Sequence, residues 1–176
     1  MIKKILKRTT LVVAIAVFVT GGVIVINYLG GHSMALFSGT RPTNLGFNDG
    51  KFRPPSTKPN WVSSTVPPND SHYIAPIIFS TSAASAWKTL LDVVATQPRA
   101  GIIIQSNDYL YVESKSKLLG FIDDVEFALD TNAPNTKAIH VHSSSRLGES
   151  DLGVNRKRIE AIRAEVAARL GAGPAP

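Results

Sequence analysis

Asp123 is the first residue whose placement could carry chemistry. In Gly120-Phe-Ile-Asp-Asp-Val-Glu-Phe127, strand alternation puts Asp123 in one row with Phe121 and Val125. A carboxylate in an apolar row needs a partner or a raised pKa. It is therefore a candidate acid, against the simpler readings of a structural ion pair or a cap on the segment after Gly148. Asp124 points the other way, diagonal to Arg146, where a cross-strand salt bridge accounts for it. A second group is Arg146, Glu149, Ser150, Asp151, Asn155, Arg156 and Arg158. It surrounds an expected helix N-terminus, where free N–H groups favour anions. That allows a phosphate, sulfate or lipid-headgroup site. It equally allows Ser150, Asp151 or Asn155 to cap the helix while Arg146 and Arg156 pin the corner through carboxylates.

His140 and His142 share a strand face, with Glu126 opposite His142. Two imidazoles and a carboxylate can bind zinc, but no fourth ligand is in sight, so no metal is expected and an exposed polar face is the reading. Ser143-Ser144-Ser145 lacks the Gly-x-Ser-x-Gly setting of a nucleophile elbow. No glycine-rich phosphate loop is present, and no cofactor is expected. The chain has no cysteine, which removes disulfides, thiol catalysis and thiolate metal sites together.

The elements that must position these residues follow from periodicity. Tyr73–Phe79 reads as a short edge strand, interrupted by Pro76. Ser80-Thr-Ser82 offers N-caps to a helix with Trp87, Leu90, Leu91 and Val94 on one stripe, which stops at Gln97-Pro98. Strands are expected at 100–105, 109–115, 120–130 and 138–146. Pairing Phe127 with Val141 and Leu129 with Ile139 keeps the apolar side chains on one face. A second helix begins near Val154, carries Ile159, Ile162, Val166 and Leu170, and ends at Gly171. The order predicts an α+β fold, an antiparallel sheet of about five strands with both helices on one face.

Before this domain, residues 9–31 contain no charge and read as one transmembrane anchor, since about 20 apolar residues cross a bilayer. Residues 1–8 form a basic flank that keeps the N-terminus in the cytoplasm and sends the rest to the periplasmic side of the inner membrane. A cleaved signal peptide fits less well, because the apolar run is long and Asn27-Tyr28-Leu29 is a poor cleavage context. Residues 32–71 are rich in Pro and Gly. Phe47, Phe52, Trp61 and Val62 favour an extended segment packed on the domain over a disordered stalk. The domain proper is placed at 72–171, and 172–176 is a tail.

The net charge is +6. Lys3, Lys4, Lys7 and Arg8 serve topology. Without them 15 basic residues face 13 acidic ones, which does not argue for nucleic acid.

Three segments together resemble the bacterial and chloroplast domain-of-unknown-function family 1499. They are Leu45–Ser64, Gly120–Phe127 and Ser143–Glu160. The resemblance implies a small exported or membrane-attached protein and brings no activity with it. Members often carry two cysteines where this chain has Pro55 and Trp61, and an arginine where it has His142. Any disulfide or metal role in relatives is therefore absent here. The expected function is a membrane-anchored, non-enzymatic binding or accessory module whose partner is an envelope protein or a small anion. One alternative is a small-ligand or lipid pocket between sheet and helices. Another is an acid–base enzyme using Asp123 with Arg146 and Arg156.

Overall fold

The computed structural model describes residues 37–53, 56–117, 119–130 and 137–171. The expected membrane anchor at 9–31, its basic flank and the tail at 172–176 lie outside the described residues. Among the described residues no helix is long and apolar enough to cross a membrane. Residues Phe37–Pro176 make one compact unit.

Within it the elements are β1 (Phe47–Asn48), β2 (Lys51–Phe52), β3 (Trp61–Ser63), β4 (Ile77–Ile78), α1 (Ala83–Ala95), β5 (Ala100–Gln105), β6 (Tyr109–Lys115), β7 (Ile122–Leu129), β8 (Ala138–Ser145) and α2 (Val154–Leu170). β1 and β2 form a separate hairpin. Its turn residues Asp49 and Gly50 both take positive φ (50° and 74°), as a two-residue hairpin turn requires.

The main sheet is antiparallel in the order β3-β8-β7-β6-β5, with β4 also paired to β8. The fold is α+β as expected, but the sheet has six strands rather than about five. The extra strand is β3, drawn from the Pro-rich segment, where three residues between turns give no periodicity to read. β3 lies against Ser144–His142 and β4 against Ile139–Ala138. The two short strands thus share one edge of β8. The longer strand expected at Tyr73–Phe79 shrinks to Ile77–Ile78 just after Pro76, with Tyr73 making only a bridge to Ser63.

The register of β7 on β8 pairs Phe127 with Val141 and Leu129 with Ile139. On β6, Leu110 and Val112 oppose Phe127 and Val125. These residues face the helices, where Leu90, Val93 and Val94 of α1 and Ile159, Ile162 and Val166 of α2 complete the core. Ser82 caps α1 by accepting the N–H of Ser85 (3.2 Å), and Gly171 ends α2 in the left-handed region (φ 68°).

The other face of the sheet carries Tyr109, Tyr111, Glu113, Asp124, Glu126, His140, His142 and Ser144, and it is not open to water. Residues 37–53 lie across it as a strap, through Arg41, Gly46, Phe47, Phe52 and Arg53. Trp61 in β3 is buried, stacks on His72 (3.9 Å between ring centroids, 3° apart) and donates its indole N–H to Ser56 O (3.1 Å). Phe52 and Phe47 sit against His142 and His140. Burying such aromatics gives the strap the apolar contact that a linker lacks.

Candidate functional site

On the helix side, the apolar rows of the sheet end in a polar layer of Ser114, Asp123 and Ser145, which face one another across β6, β7 and β8. Asp123 Oδ2 pairs with Arg158 Nη2 of α2 (2.5 Å), and Oδ1 accepts from Ser145 Oγ (2.6 Å). Asn155, fully buried, ties the layer together. Its Oδ1 accepts from Ser143 Oγ (2.6 Å) and Arg158 Nη1 (2.7 Å). Its Nδ2 donates to Asn60 O and Ser145 Oγ, both at 3.0 Å. Every polar atom that a buried amide brings into a core must be matched in this way.

The N-terminus of α2 is occupied by the chain itself. Asp151 accepts the N–H groups of Gly153 (3.0 Å) and Asn155 (2.8 Å), so its carboxylate stands where an external anion would. Ser150 Oγ accepts the N–H of Leu152 (3.2 Å). Arg156 reaches away to Ser71 O (3.0 Å), and Glu149 pairs with Lys58 (2.9 Å). Of the helix-terminal residues, Asn155 and Arg158 converge with Asp123, and Asp151 caps Asn155, while Glu149, Arg156 and Arg146 point elsewhere. The acid–base arrangement of Asp123 with Arg146 and Arg156 is not brought together either, because Arg146 lies on the strap side of the sheet.

Beside the Asp123–Arg158 pair, a pocket of about 350 Å³ opens between the sheet and the two helices. Its floor is apolar, with Val94 of α1, Val112, Val125 and Phe127 of the sheet, and Ile162 of α2. Exposed Arg99, Lys115 and Lys117 stand at its rim with Val154. Arg99 holds a left-handed backbone (φ 60°) and donates Nε to Lys115 O (3.2 Å), which fixes that side of the mouth. The volume lies at the lower end of small-ligand pockets, and its floor side chains are themselves packed into the core, each 0–2% exposed, with the charged groups at the mouth.

The strap side holds a buried ionic cluster instead. Arg146 donates to Asp124 (2.8 Å from Nη2 to Oδ1), to Tyr111 Oη (2.9 Å) and to Glu113. Arg41 from the strap adds a second cation on Glu113 (2.7 Å), and Tyr111 donates to Asp124 (2.6 Å). Next to it, Glu126 accepts from Tyr109 Oη (2.6 Å) and from the N–H of Gly46 (2.8 Å), while Arg53 stands 3.8 Å away. The diagonal pair of Asp124 and Arg146 is thus part of a larger network.

Burial works against the charge on Glu113, but Arg41 and Arg146 hold its pKa below the usual carboxylate value. Burial likewise opposes the charge on Arg146, and hydrogen bonds to Asp124 and Glu113 outweigh it. Glu126 goes the other way, raised by burial despite Tyr109 and Gly46. His142 is pushed down to about 3 by burial and by the charge of Arg53, and its Nδ1 has no hydrogen-bond partner among the described residues. A polar recess of about 260 Å³ lies beside Arg53, Asp124, His142 and Arg146.

The expectation of an exposed polar face at His140 and His142 is corrected here. His142 is 1% exposed and Glu126 is 0% exposed, because the strap covers them. Among the described residues no three His, Asp or Glu side chains converge as metal ligands. Sequence reasoning also missed Arg53, Tyr111 and Glu113. The available signal was Glu113 opposite Asp124, since like charges directly across a sheet need a cation between them.

The family described as Protein of unknown function (DUF1499) matches the chain over residues 51–166, from β2 through most of α2. The chain belongs to that family. No curated protein matches it. No solved structure matches it either.

Proposed function

We propose that this member of the DUF1499 family is a non-enzymatic binding module for a small amphiphilic anion. The ligand is an acyl or comparably apolar body with a carboxylate or phosphate head. It seats between the sheet and the two helices, with the apolar body against Val94, Val125 and Ile162 and the head beside Lys115 and Lys117. The module is held at the outer face of the inner membrane by residues 9–31. The observation that carries the reading is the pocket of about 350 Å³ with an apolar floor and a cationic rim. The charge-free run and the Lys/Arg flank before it support the anchor.

An acid–base enzyme is less well supported. Asp123 is held by Arg158 and Ser145, with neither Arg146 nor Arg156 beside it. The reading of α2 as a bare anion site is weakened by the carboxylate of Asp151 at its N-terminus.

Thermal melts of the purified full chain test the proposal. Decanoate below its micellar concentration should raise the melting temperature by mass action. Decanol, without the charge, should raise it less, and inorganic phosphate should leave it unchanged. The double variant Lys115→Glu with Lys117→Glu should lose most of the decanoate shift. A shift with phosphate alone would return the site to a simple anion. No shift with decanoate would remove the proposal.

A further inference from the structure

Phe37, Leu147, Leu152 and Val154 are exposed apolar side chains that gather at one corner, while Ile78 of β4 and Ile102, Ile103 and Ile104 of β5 are exposed elsewhere on the sheet. Phe37 stacks on Phe121 (5.2 Å between ring centroids, 19° apart). Phe121, Leu147, Leu152 and Val154 line a shallow concavity of about 240 Å³. Leu152 is 85% exposed and Val154 47%. Leu152 also holds a left-handed backbone (φ 53°), a conformation that bulky side chains avoid. Ser150 and Asp151 fix this turn by accepting the N–H groups of Leu152 and Gly153. A leucine is thus fixed pointing into water at a position where a polar residue would be no worse for the fold.

This corner is continuous with the ligand pocket. Ser116, Asp123 and Val154 line both. Lys115 and Lys117, on either side of Ser116, stand at the pocket rim. Apolar side chains with cations beside them suit a bilayer surface with anionic headgroups.

We propose that this corner, led by Leu152, Leu147 and Phe37, docks on the lipid bilayer. The pocket mouth then opens against the membrane, and the amphiphile is drawn from lipid rather than from bulk water. The proposal rests on the anchored binding module described above and adds its partner surface.

The chain has no cysteine, so single-cysteine labels report one site each. A polarity-sensitive fluorophore is placed at Leu152→Cys, at Leu147→Cys and at Ala84→Cys, an exposed position on α1. Each full-length variant is reconstituted in vesicles of neutral lipid with one-third anionic lipid. Labels at 152 and 147 should be quenched by brominated acyl chains at least twice as strongly as the label at 84, and shielded from aqueous iodide. An iodide-accessible label at 152 would overturn the proposal. So would shielding without lipid quenching, which would assign the corner to a protein partner or a second copy. A chain that fails to float with carbonate-washed vesicles would remove both anchor and docking. A chain that shifts with decanoate yet leaves position 152 in water would keep the pocket and remove only the docking face.

Discussion

The two faces of one sheet are built from opposite materials. The helix face is apolar, closes on α1 and α2, and leaves a pocket at its polar end. The strap face is ionic, with Asp124, Glu126 and Glu113 set among Arg146, Arg53 and Arg41, and it is buried nearly as well. β7 belongs to both, which is why seven of its eight residues are buried. The difference teaches that burial and openness are separate properties. The greasy side keeps a recess at its polar end. The charged side is held shut by a strap whose Arg41, Gly46 and Arg53 reach its carboxylates.

The comparison is broken most directly at its arginines. Arg146→Ala leaves Asp124 and Glu113 short of a buried partner and should cost about 3–5 kcal/mol of stability. Arg158→Ala on the helix face should cost clearly less, because Asp123 lies at a wetter edge and keeps Ser145. Chemical denaturation of the two variants checks this, and equal losses would erase the distinction. Trp61→Ala should cost about 3 kcal/mol or more by releasing the strap. Its unfolding should also be preceded by faster hydrogen exchange at Val141, whose N–H donates to Ser64 Oγ just after β3 (2.9 Å), than at Val112 in the middle of the sheet.

The strap face should in addition be the acid-sensitive one. His142 is neutral when folded, with a pKa of about 3 against about 6.5 unfolded. Its contribution is therefore whole above pH 6.5 and is lost as pH falls from there toward 3. The total loss is on the order of 5 kcal/mol at about 1.4 kcal/mol per pKa unit. His142→Phe, which cannot take a proton, should flatten that limb of the stability curve. Glu126 has the reverse sign. Its raised pKa means that the folded state prefers the protonated form, so ionisation at rising pH costs stability. Glu126→Gln should be neutral or stabilising at pH 7, measured by the same melts. The smallest effect belongs to the cap on α2, where Asp151→Ala should cost about 1 kcal/mol.

How much of this was legible depended on periodicity. The β7–β8 register and both helix stripes follow from alternation and 3.6-residue spacing, and the structure has them. Asp124 opposite Ser144 could be read, with Arg146 one diagonal step away. β3 could not, because Trp61–Ser63 is too short to show a period and pairs with a strand 80 residues later. The buried state of His142 and Glu126 was illegible for the same reason. Alternation assigns them to the polar face, and only the path of the strap decides whether that face meets water. The pocket was legible only as a possibility, since its mouth is set by where the loops carrying Arg99, Lys115 and Lys117 stand beside the core.

One experiment bears on both faces at once. A clickable fatty acid carrying a photoreactive diazirine is irradiated with the full chain in vesicles, and the modified residues are mapped by mass spectrometry. The account predicts crosslinks on Val94, Val112, Val125 and Ile162, displaced by unlabelled decanoate, and none on Tyr111 or His142. Crosslinks beneath the strap, or scattered without displacement, would contradict it.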